Sequence, residues 1–230
     1  MARSVLYDDR TPDEWRGDIL EAVLAHVPFD GWSDAAIERA CDDLGLERDY
    51  IDLAFPKGMH EMVDCFLNSL DQKLILELKV LKIGDMRIRD KITTAIRVRL
   101  ELSEEYREAV HRTVTLLAMP LNLPLGAKLL WRTADVMWRM AGDTATDYNH
   151  YTKRGILSGV YSSTLLYWLN DVSEGYEDTW AFLDRRIENV MQFEKVKANA
   201  LKATSNLPDI AKILGKWRYG YHKDNKVDDL

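Results

Sequence analysis

Apolar residues recur every three or four positions along most of this 230-residue chain, and this spacing is the feature that most constrains its fold. Such a spacing places the apolar side chains on one face of an α-helix. Alternating, β-branched segments bounded by turn residues, which would predict strands, do not occur. We therefore expect an all-α protein, and the chain is long enough to bury a sizeable core without a metal ion or a disulfide.

Proline, glycine and capping residues divide the helical pattern into successive segments. Pro12 is expected to open the first helix, and Ser33 and Gly45 to begin and end the second. Further helices are predicted over residues 49–53, 59–81, 88–100, 104–118, 128–140 and 148–169, and from residue 178 to beyond residue 193. Pro120 and Pro124 form an elbow that should splay the helices on either side of it.

The two ends of the chain carry opposite charge. Residues 1–55 contain fourteen acidic and five basic side chains, a net charge of 5 − 14 = −9, whereas residues 195–226 contain eight basic and two acidic ones, a net charge of 8 − 2 = +6. The acidic end should repel polyanions and the basic end should attract them. The two cysteines, Cys41 and Cys65, lack the spacing of a zinc or redox site and are predicted to be inert, buried thiols.

The segment after Gly31 has the order of a helix-turn-helix unit, with a capped helix, a glycine turn and a short second helix. This segment, together with Phe55-Pro-Lys57-Gly-x-x-Glu61, resembles the amino-terminal domain of TetR-family proteins. A DNA-binding version needs cations or neutral donors on its second helix. Residues 46–52 instead carry three acidic side chains and one arginine. We therefore expect no nucleic-acid partner and a role in packing for these helices.

Large apolar residues are concentrated in the central helices at spacings that keep each set on one face. Such stripes form either a packed core or a pocket for a long apolar ligand. The proline elbow, together with Gly155 and Gly159, favours the pocket because it leaves room between helices. The predicted ligand is an isoprenoid lipid or a phospholipid, and the predicted lipid-binding residues are Leu116, Met119, Trp131, Met137, Trp138, Leu157, Tyr161, Leu165 and Trp168.

The last helical segment is amphipathic and basic. On a helical projection its apolar residues share a wedge of about 120°, and they are Leu207, Ile210, Ile213, Leu214 and Trp217. Lys212 and Lys216 lie opposite this wedge and Arg218 flanks it. Such a helix can lie in the interface of an anionic membrane, tethered by the polar stretch 195–206. The alternative is an ordinary last helix packed on the body.

Catalytic and metal-binding motifs are incomplete. Glu108 and His111 have the helical spacing of a di-iron carboxylate site, and Asp147 and His150 have a similar one, but the further carboxylates of such a site are missing. The glycine-rich elbows and loops of hydrolases and nucleotide-binding proteins, and the paired histidines of zinc proteases, do not occur. We expect no catalytic residue, no metal ion and no cofactor, and therefore not an enzyme.

Three blocks of sequence resemble the ninth coenzyme Q biosynthesis protein family: the segment from Leu130 to Asp147, the segment from Asn149 to Arg154, and the segment from Glu177 to Arg186. The similarity covers residues 16–219. It implies a TetR-like fold that has exchanged DNA for lipid binding, a homodimer, a membrane-seeking last helix, and support of the demethoxyubiquinone hydroxylase late in ubiquinone synthesis. The alternative function is a TetR-like transcription regulator with a small apolar ligand.

The resemblance also implies a hydroxylase-binding surface. The corresponding residues in this sequence are Asp147, Tyr148, Asn149, His150, Tyr151, Lys153 and Arg154. His150 stands where the family usually has tryptophan, so a smaller and more polar ring replaces an apolar anchor. Asp147 could instead act as a helix cap, and Tyr151 could belong to the core.

We interpret the chain as three regions. Residues 1–82 form a helix-turn-helix-like bundle that does not bind DNA, residues 83–194 form the lipid-binding and dimerisation helices, and residues 195–230 form a linker and an amphipathic membrane-binding helix. Apolar stripes on the helices 148–169 and 178–193 predict pairing with a second copy. The start of the chain lacks a targeting signal, so we expect a bacterial cytoplasmic protein peripheral on the inner membrane, and the mitochondrial matrix side for eukaryotic relatives.

Overall fold

The computed structural model describes residues 10–144 and 148–205. Within these ranges it contains nine α-helices, short 3-10 turns and no strand, so the all-α fold class is confirmed. The helices are α1 (Pro12–Asp30), α2 (Asp34–Leu44), α3 (Arg48–Ala54), α4 (Met59–Val80), α5 (Ile88–Glu101), α6 (Arg107–Leu117), α7 (Leu123–Met140), α8 (Tyr148–Asn170) and α9 (Glu177–Ser205). Of the described residues, those up to Ile187 form one compact unit and those from Glu188 form a second.

Capping residues set the ends of α1 and α2, and those of α2 are the ones that the sequence predicts. Thr11 and Glu14 form a capping box at the start of α1. The Ser33 hydroxyl accepts a hydrogen bond from the Ala36 backbone N–H at 3.3 Å and so caps α2. Gly45 ends α2 with φ +66°, a left-handed conformation that costs glycine little.

The first three helices enclose a core of aliphatic and aromatic side chains that includes Ile19, Val23, Ile51 and Phe55, all at most 1% exposed. Arg16 joins α1 to the junction of α3 and α4. Its guanidinium donates to the Ala54 carbonyl at 2.5 Å and to the Glu61 carboxylate at 2.9 Å. Burial of this kind supports the predicted packing role of the three helices.

The thiols of both cysteines are free, and Cys41 is buried whereas Cys65 is half-buried. Burial raises the pKa of the Cys41 thiol above its ordinary value. This keeps Cys41 in the unreactive thiol form, as the sequence predicts.

The proline elbow differs from its predicted form. A 3-10 turn covers Pro120–Asn122, and α7 begins at Leu123, five residues earlier than predicted. Pro124 fits in the first turn of α7 because the backbone N–H of that position has no partner within a helix. The predicted splaying is present, since the segments on either side of the elbow meet at 93°.

The structure corrects the predicted linker, because α9 continues as a helix to Ser205 where a flexible tether was expected from residue 195. Lysine and alanine are the commonest residues of this stretch, and their strong helix propensity outweighs its polarity. No single helix in the described ranges is long and apolar enough to cross a membrane, although the bent pair 104–117 and 120–140 would be if taken together.

Candidate functional site

A largely apolar cavity of about 420 Å³ lies among α4, α5, α6, α7 and α8. Aliphatic side chains form most of its wall. Val110, Val114 and Leu117 come from α6, and Leu129 and Leu130 come from α7. The volume lies within the range of sites that bind small molecules. The cavity can therefore enclose part of a long apolar ligand.

The residues that line the cavity differ in exposure, so part of its wall is open to solvent and part is enclosed. Leu123 at the start of α7 is 54% exposed, and Leu166 on α8 is 51% exposed. We call this part of the wall the mouth. Leu129, Arg99 and Tyr161 also line the cavity but are at most 5% exposed. We call this part of the wall the closed end.

The elbow beside the mouth depends on one glycine. A Cβ atom at Gly126 would lie 3.2 Å from the backbone oxygen of Leu117 and 3.3 Å from its Cβ. These distances are tighter than ordinary contacts, so any larger residue would push the end of α6 away from α7. Gly126 thus permits the close approach of the two helices that shape the cavity.

A buried polar network lies behind the closed end. Nε of Arg99 on α5 donates to the carboxylate of Asp71 on α4 at 3.0 Å, and Nη1 of Arg99 donates to the Ser103 hydroxyl at 2.7 Å. The Thr133 hydroxyl lies 3.1 Å from both carboxylate oxygens of Asp71. Arg99 and Asp71 are each 1% exposed. The network pairs charges that would otherwise be costly to bury.

The structure brings only part of the predicted lipid-binding set to this cavity. Tyr161 and Leu165 line it. Met137, Leu157 and Trp168 are at most 2% exposed and are packed in the core without lining the cavity, which agrees with the alternative stated for apolar stripes. The helical spacing identifies an apolar face, but it does not say which neighbouring helix that face contacts.

The remaining predicted lipid-binding residues lie outside the cavity wall. The indole N–H of Trp138 donates to the Lys153 carbonyl at 3.0 Å, and the Trp131 ring lies 6.1 Å from the Tyr151 ring. Both tryptophans therefore join α7 to the start of α8. Leu116 is half-buried near the end of α6, and Met119 in the elbow is 50% exposed.

The two glycines of α8 do not widen the cavity. Gly155 and Gly159 are exposed, and a Cβ atom at either position would meet nothing within 4 Å. They lie on an outer face of α8, not between the helices that enclose the ligand space. The expectation that they leave room for a ligand is therefore wrong.

Sequence reasoning missed most of the wall. The apolar residues of α6 at Val110, Val114 and Leu117 follow a helical spacing that would have identified them. Arg99 gave no such signal, because a charged residue on α5 is normally expected on the surface. Only the packing of α5 against α4 and α8 brings it to the cavity.

The segment predicted to bind a partner contains an internal ion-pair network. Arg154 is 2% exposed, and its guanidinium contacts Asp135 at 2.5 Å and Asp143 at 3.0 Å. The Lys153 ammonium lies 2.6 Å from the Asp143 carboxylate. Arg154 therefore connects α8 to α7 from the inside and presents little surface to a partner.

Other residues of this segment face outward. Tyr151 is 64% exposed, so the alternative that it belongs to the core is wrong. Asn149 is exposed, and the ring of the half-buried His150 lies 5.2 Å from the Tyr151 ring in an edge-to-face arrangement. Asp147 and the side chain of Tyr148 lie outside the described part of the chain.

The predicted membrane-binding residues also lie outside the described residues. They are Leu207, Ile210, Lys212, Ile213, Leu214, Lys216, Trp217 and Arg218. Their role therefore stays a prediction from the sequence.

The short helix α3 presents acidic side chains. Asp49 and Asp52 are exposed. Arg48, the cation of this helix, pairs with Asp34 at 2.9 Å and with Asp52 at 3.0 Å. The hydrogen bond that Arg48 donates to the Asp34 carboxylate outweighs burial and raises the pKa of Arg48. Its charge is therefore engaged within the protein and less available to a phosphate.

The di-iron spacing does not form a metal site in the described residues. Glu108 and His111 are exposed on α6, and their side chains lie 3.9 Å apart, with Arg112 also paired to Glu108 at 3.1 Å. Within residues 10–144 and 148–205, no cluster of three or more histidine, cysteine, aspartate or glutamate side chains could hold a metal ion.

Comparison with known proteins identifies the family that this site resembles. The sequence profile of the COQ9 family matches residues 123–194, which include α7 and α8. The ubiquinone biosynthesis protein COQ9 of Rattus norvegicus, a mitochondrial protein by name, is 34% identical over 191 residues, covering 80% of this chain and 61% of the relative. The COQ9 protein of Homo sapiens is 32% identical, with coverage of 80% and 60%. The resemblance to the COQ9 family is confirmed.

The chain spans about three fifths of the length of these COQ9 relatives. The names of the relatives state a role in ubiquinone biosynthesis and no catalytic activity. A solved structure of a TetR transcriptional regulator from Nitrosomonas europaea matches with a TM-score of 0.63 at 19% identity, covering 76% of this chain and 97% of the regulator. This match confirms the TetR-like fold.

Proposed function

We propose that this protein is a lipid-binding accessory protein of ubiquinone biosynthesis. In this proposal it holds an isoprenoid quinone precursor and presents it at the membrane to the demethoxyubiquinone hydroxylase, without catalysing a reaction itself. The half-open apolar cavity of about 420 Å³ carries the proposal. The similarity to COQ9 proteins supports the pathway, because those relatives are named for ubiquinone biosynthesis.

The cavity suits a ligand whose body is apolar and long. Burying apolar surface gains roughly 25 cal/mol per Å², so each isoprene unit enclosed by the aliphatic wall adds to the affinity. The exposed leucines at the mouth, Leu123 and Leu166, allow a longer chain to extend out of the protein. A phospholipid acyl chain would meet the same wall, so it remains within the proposed ligand class.

The surface around the start of α8 is the proposed hydroxylase-binding site. Tyr151 and Asn149 are exposed there, and the buried pairs of Arg154 hold this part of α8 against α7. Aromatic side chains supply much of the energy at protein interfaces. We assign Tyr151 the contact role and Arg154 a positioning role.

The proposal places the protein at a membrane surface as a homodimer. The basic, amphipathic segment 207–218 would bind anionic lipids on the inner membrane, which corresponds to the matrix side in mitochondria. The exposed small residues of α8, Gly155 and Gly159, offer a surface for close packing of a second copy.

Lipid extraction tests the cavity directly. Leu130→Trp should fill part of the cavity, and the purified variant should carry much less lipid than the wild-type protein. The matched control is Leu76→Trp on α4, where the side chain is 62% exposed and lies away from the cavity. Mass spectrometry of organic extracts should find a near-stoichiometric isoprenoid or phospholipid in the wild type and the control. Equal lipid in all three proteins, or none in the wild type, would contradict the proposal.

A TetR-like transcription regulator with a small apolar ligand is the second candidate function. The structural match to a TetR regulator favours it, but a match at 19% identity shows the fold alone. The exposed acids of α3 oppose it, because they would face the phosphates of a duplex. Salt-dependent, sequence-selective binding of duplex DNA by the full chain would favour the regulator instead.

A further inference from the structure

The closed end of the cavity is polar, although the rest of the wall is apolar. Arg99 and Tyr161 both line it, from α5 and α8 respectively, and both are at least 95% buried. An apolar chain alone would gain nothing from these groups, since it can neither donate nor accept a hydrogen bond. The polar end therefore bears on which ligand the cavity selects.

Tyr161 offers an unused hydrogen-bonding group. Its hydroxyl makes no hydrogen bond to any described residue, although the side chain is 5% exposed. A tyrosine buried to this extent usually has a partner for its hydroxyl. Burial raises the pKa of Tyr161, with the Arg99 charge acting in the opposite direction and the Asp71 charge in the same one. Tyr161 thus stays neutral at pH 7 and can both donate and accept.

Arg99 is only partly engaged by the protein. A guanidinium has five N–H donors, and those used within the described residues are Nε–H to Asp71 and Nη1 to Ser103. The side chain also lines the cavity. Arg99 can therefore donate a further hydrogen bond to a ligand oxygen without giving up its contact with Asp71.

The network behind this end carries no net charge. Arg99 and Arg132 both pair with Asp71, and Arg132 also forms a salt bridge with Asp64. Two cations therefore balance two anions. A ligand carboxylate or phosphate here would add a buried charge that lacks a counter-ion, which is costly in a low-dielectric site. A neutral oxygen would add none.

We infer that Tyr161 and Arg99 form a polar subsite that selects a neutral, oxygen-bearing head group, such as a quinone carbonyl or a phenol, and binds it at the closed end with its apolar tail toward the mouth. This inference rests on the proposed function, because it requires a ligand in the cavity. It adds the residues that bind the head group, the preference for a neutral head group over an anionic one, and the direction of insertion. The ligand head is then shielded from water during transport and must be withdrawn before a hydroxylase can act on it.

Calorimetric titration of the delipidated, full-length protein with three probes tests the subsite. The probes are decylubiquinone, decylbenzene and decanoate, which offer neutral oxygens, no oxygen and an anionic head group. Tyr161→Phe removes one hydroxyl and should weaken decylubiquinone binding about 3- to 10-fold while changing decylbenzene binding less than twofold. Tyr167→Phe on the same helix is the matched control, because its ring stacks on Phe182 outside the cavity, and it should change neither affinity.

A second variant keeps the test independent of one substitution. Arg99→Lys retains a cation beside Asp71 but removes most of the guanidinium donors, and it should also lower the affinity for decylubiquinone selectively. Should Arg99→Lys fail to fold, as judged by circular dichroism, Tyr161→Phe still decides the inference.

The outcomes separate the inference from the proposed function. If the wild type binds neither decylubiquinone nor decylbenzene, the lipid-binding function fails and the subsite fails with it. If both probes bind but Tyr161→Phe leaves decylubiquinone binding unchanged, the cavity stands and the polar subsite is overturned. Tighter binding of decanoate than of decylubiquinone would overturn the selection of a neutral head group.

Discussion

Asp171 shows how one buried carboxylate can organise the start of a helix. It lies between α8 and α9 and is 5% exposed. Its carboxylate accepts from the Thr179 hydroxyl at 2.5 Å, from the Thr179 backbone N–H at 2.9 Å and from the Ser173 backbone N–H at 2.8 Å. Burial alone would raise its pKa, but these hydrogen bonds outweigh burial and lower the pKa from 3.8 to about 2.

A carboxylate with a lowered pKa in the folded state stabilises the protein above its unfolded pKa, and this stabilisation is lost as the pH falls through the folded value. The Asp171 contribution should therefore be complete above about pH 4 and disappear as the pH falls toward about 2. Asp171→Asn should lower the free energy of unfolding at pH 7 by about 1–2 kcal/mol, allowing for solvent screening.

Urea unfolding between pH 2 and pH 7 measures this effect as the difference between wild type and Asp171→Asn. The difference should shrink as the pH falls below about 4. Asp178→Asn, in the exposed first turn of α9, serves as a control that removes one carboxylate without these hydrogen bonds. A difference in the free energy of unfolding that does not change with pH would contradict the assignment of this stabilisation to the Asp171 carboxylate.

At the scale of secondary-structure elements, the junction of α7 and α8 depends on a buried cation. Arg154 joins Asp135 on α7 and Asp143 in the loop after it. Removing one partner of a buried ion pair typically costs 3–5 kcal/mol, because the other charge is left uncompensated. Arg154→Ala should therefore lower the free energy of unfolding by about 3 kcal/mol.

Chemical denaturation of the isolated protein separates this positioning role from a partner contact. Lys153 pairs with Asp143, and the Lys153 side chain is 40% exposed. Lys153→Ala should therefore lower the free energy of unfolding by about 1 kcal/mol or less. Tyr151→Ala should leave stability nearly unchanged and, under the proposed function, weaken binding of the hydroxylase. An Arg154→Ala protein as stable as the wild type would contradict the positioning role.

The elements also show where sequence patterns were informative. The caps at Ser33 and Gly45 and the spacing of α4 predicted helix bounds closely, because capping and periodicity are local properties. The predicted start of α7 was too late in the sequence because proline usually breaks a helix. Pro124 is tolerated here because it lies in the first turn. Arg99 was missed because its burial depends on Asp71, which is 28 positions away in sequence.

At the scale of the whole molecule, the TetR-like fold could be predicted from the helix-turn-helix order and the family resemblance, and the structural comparison confirms it. The cavity could be placed only approximately. Its existence follows from the elbow and the apolar helices, but its wall depends on how α6 packs against α7 and α8. Such packing joins residues distant in sequence, so periodicity alone cannot assign it.

The last prediction concerns the binding of the basic carboxyl-terminal segment to an anionic membrane. Each deeply inserted apolar side chain of residues 207–217 should contribute roughly 2 kcal/mol, and each nearby cation about 1 kcal/mol on an anionic surface. Ordering the segment opposes binding, so association should be moderate and reversible. Truncation after Ser205 should therefore abolish co-sedimentation with anionic liposomes.

Two matched measurements sharpen this prediction. Ile213→Glu should act like the truncation, whereas Asp209→Asn, which leaves the apolar wedge intact, should retain binding. Added salt should weaken binding of the full chain without eliminating it, because screening reduces the electrostatic contribution and leaves the apolar one. The thermal midpoint of the truncated protein should stay close to that of the full chain, since the removed residues follow the compact unit that ends at Ile187. A strongly destabilised truncation would instead favour a last helix packed on the body, and equal sedimentation of both proteins would refute the docking role.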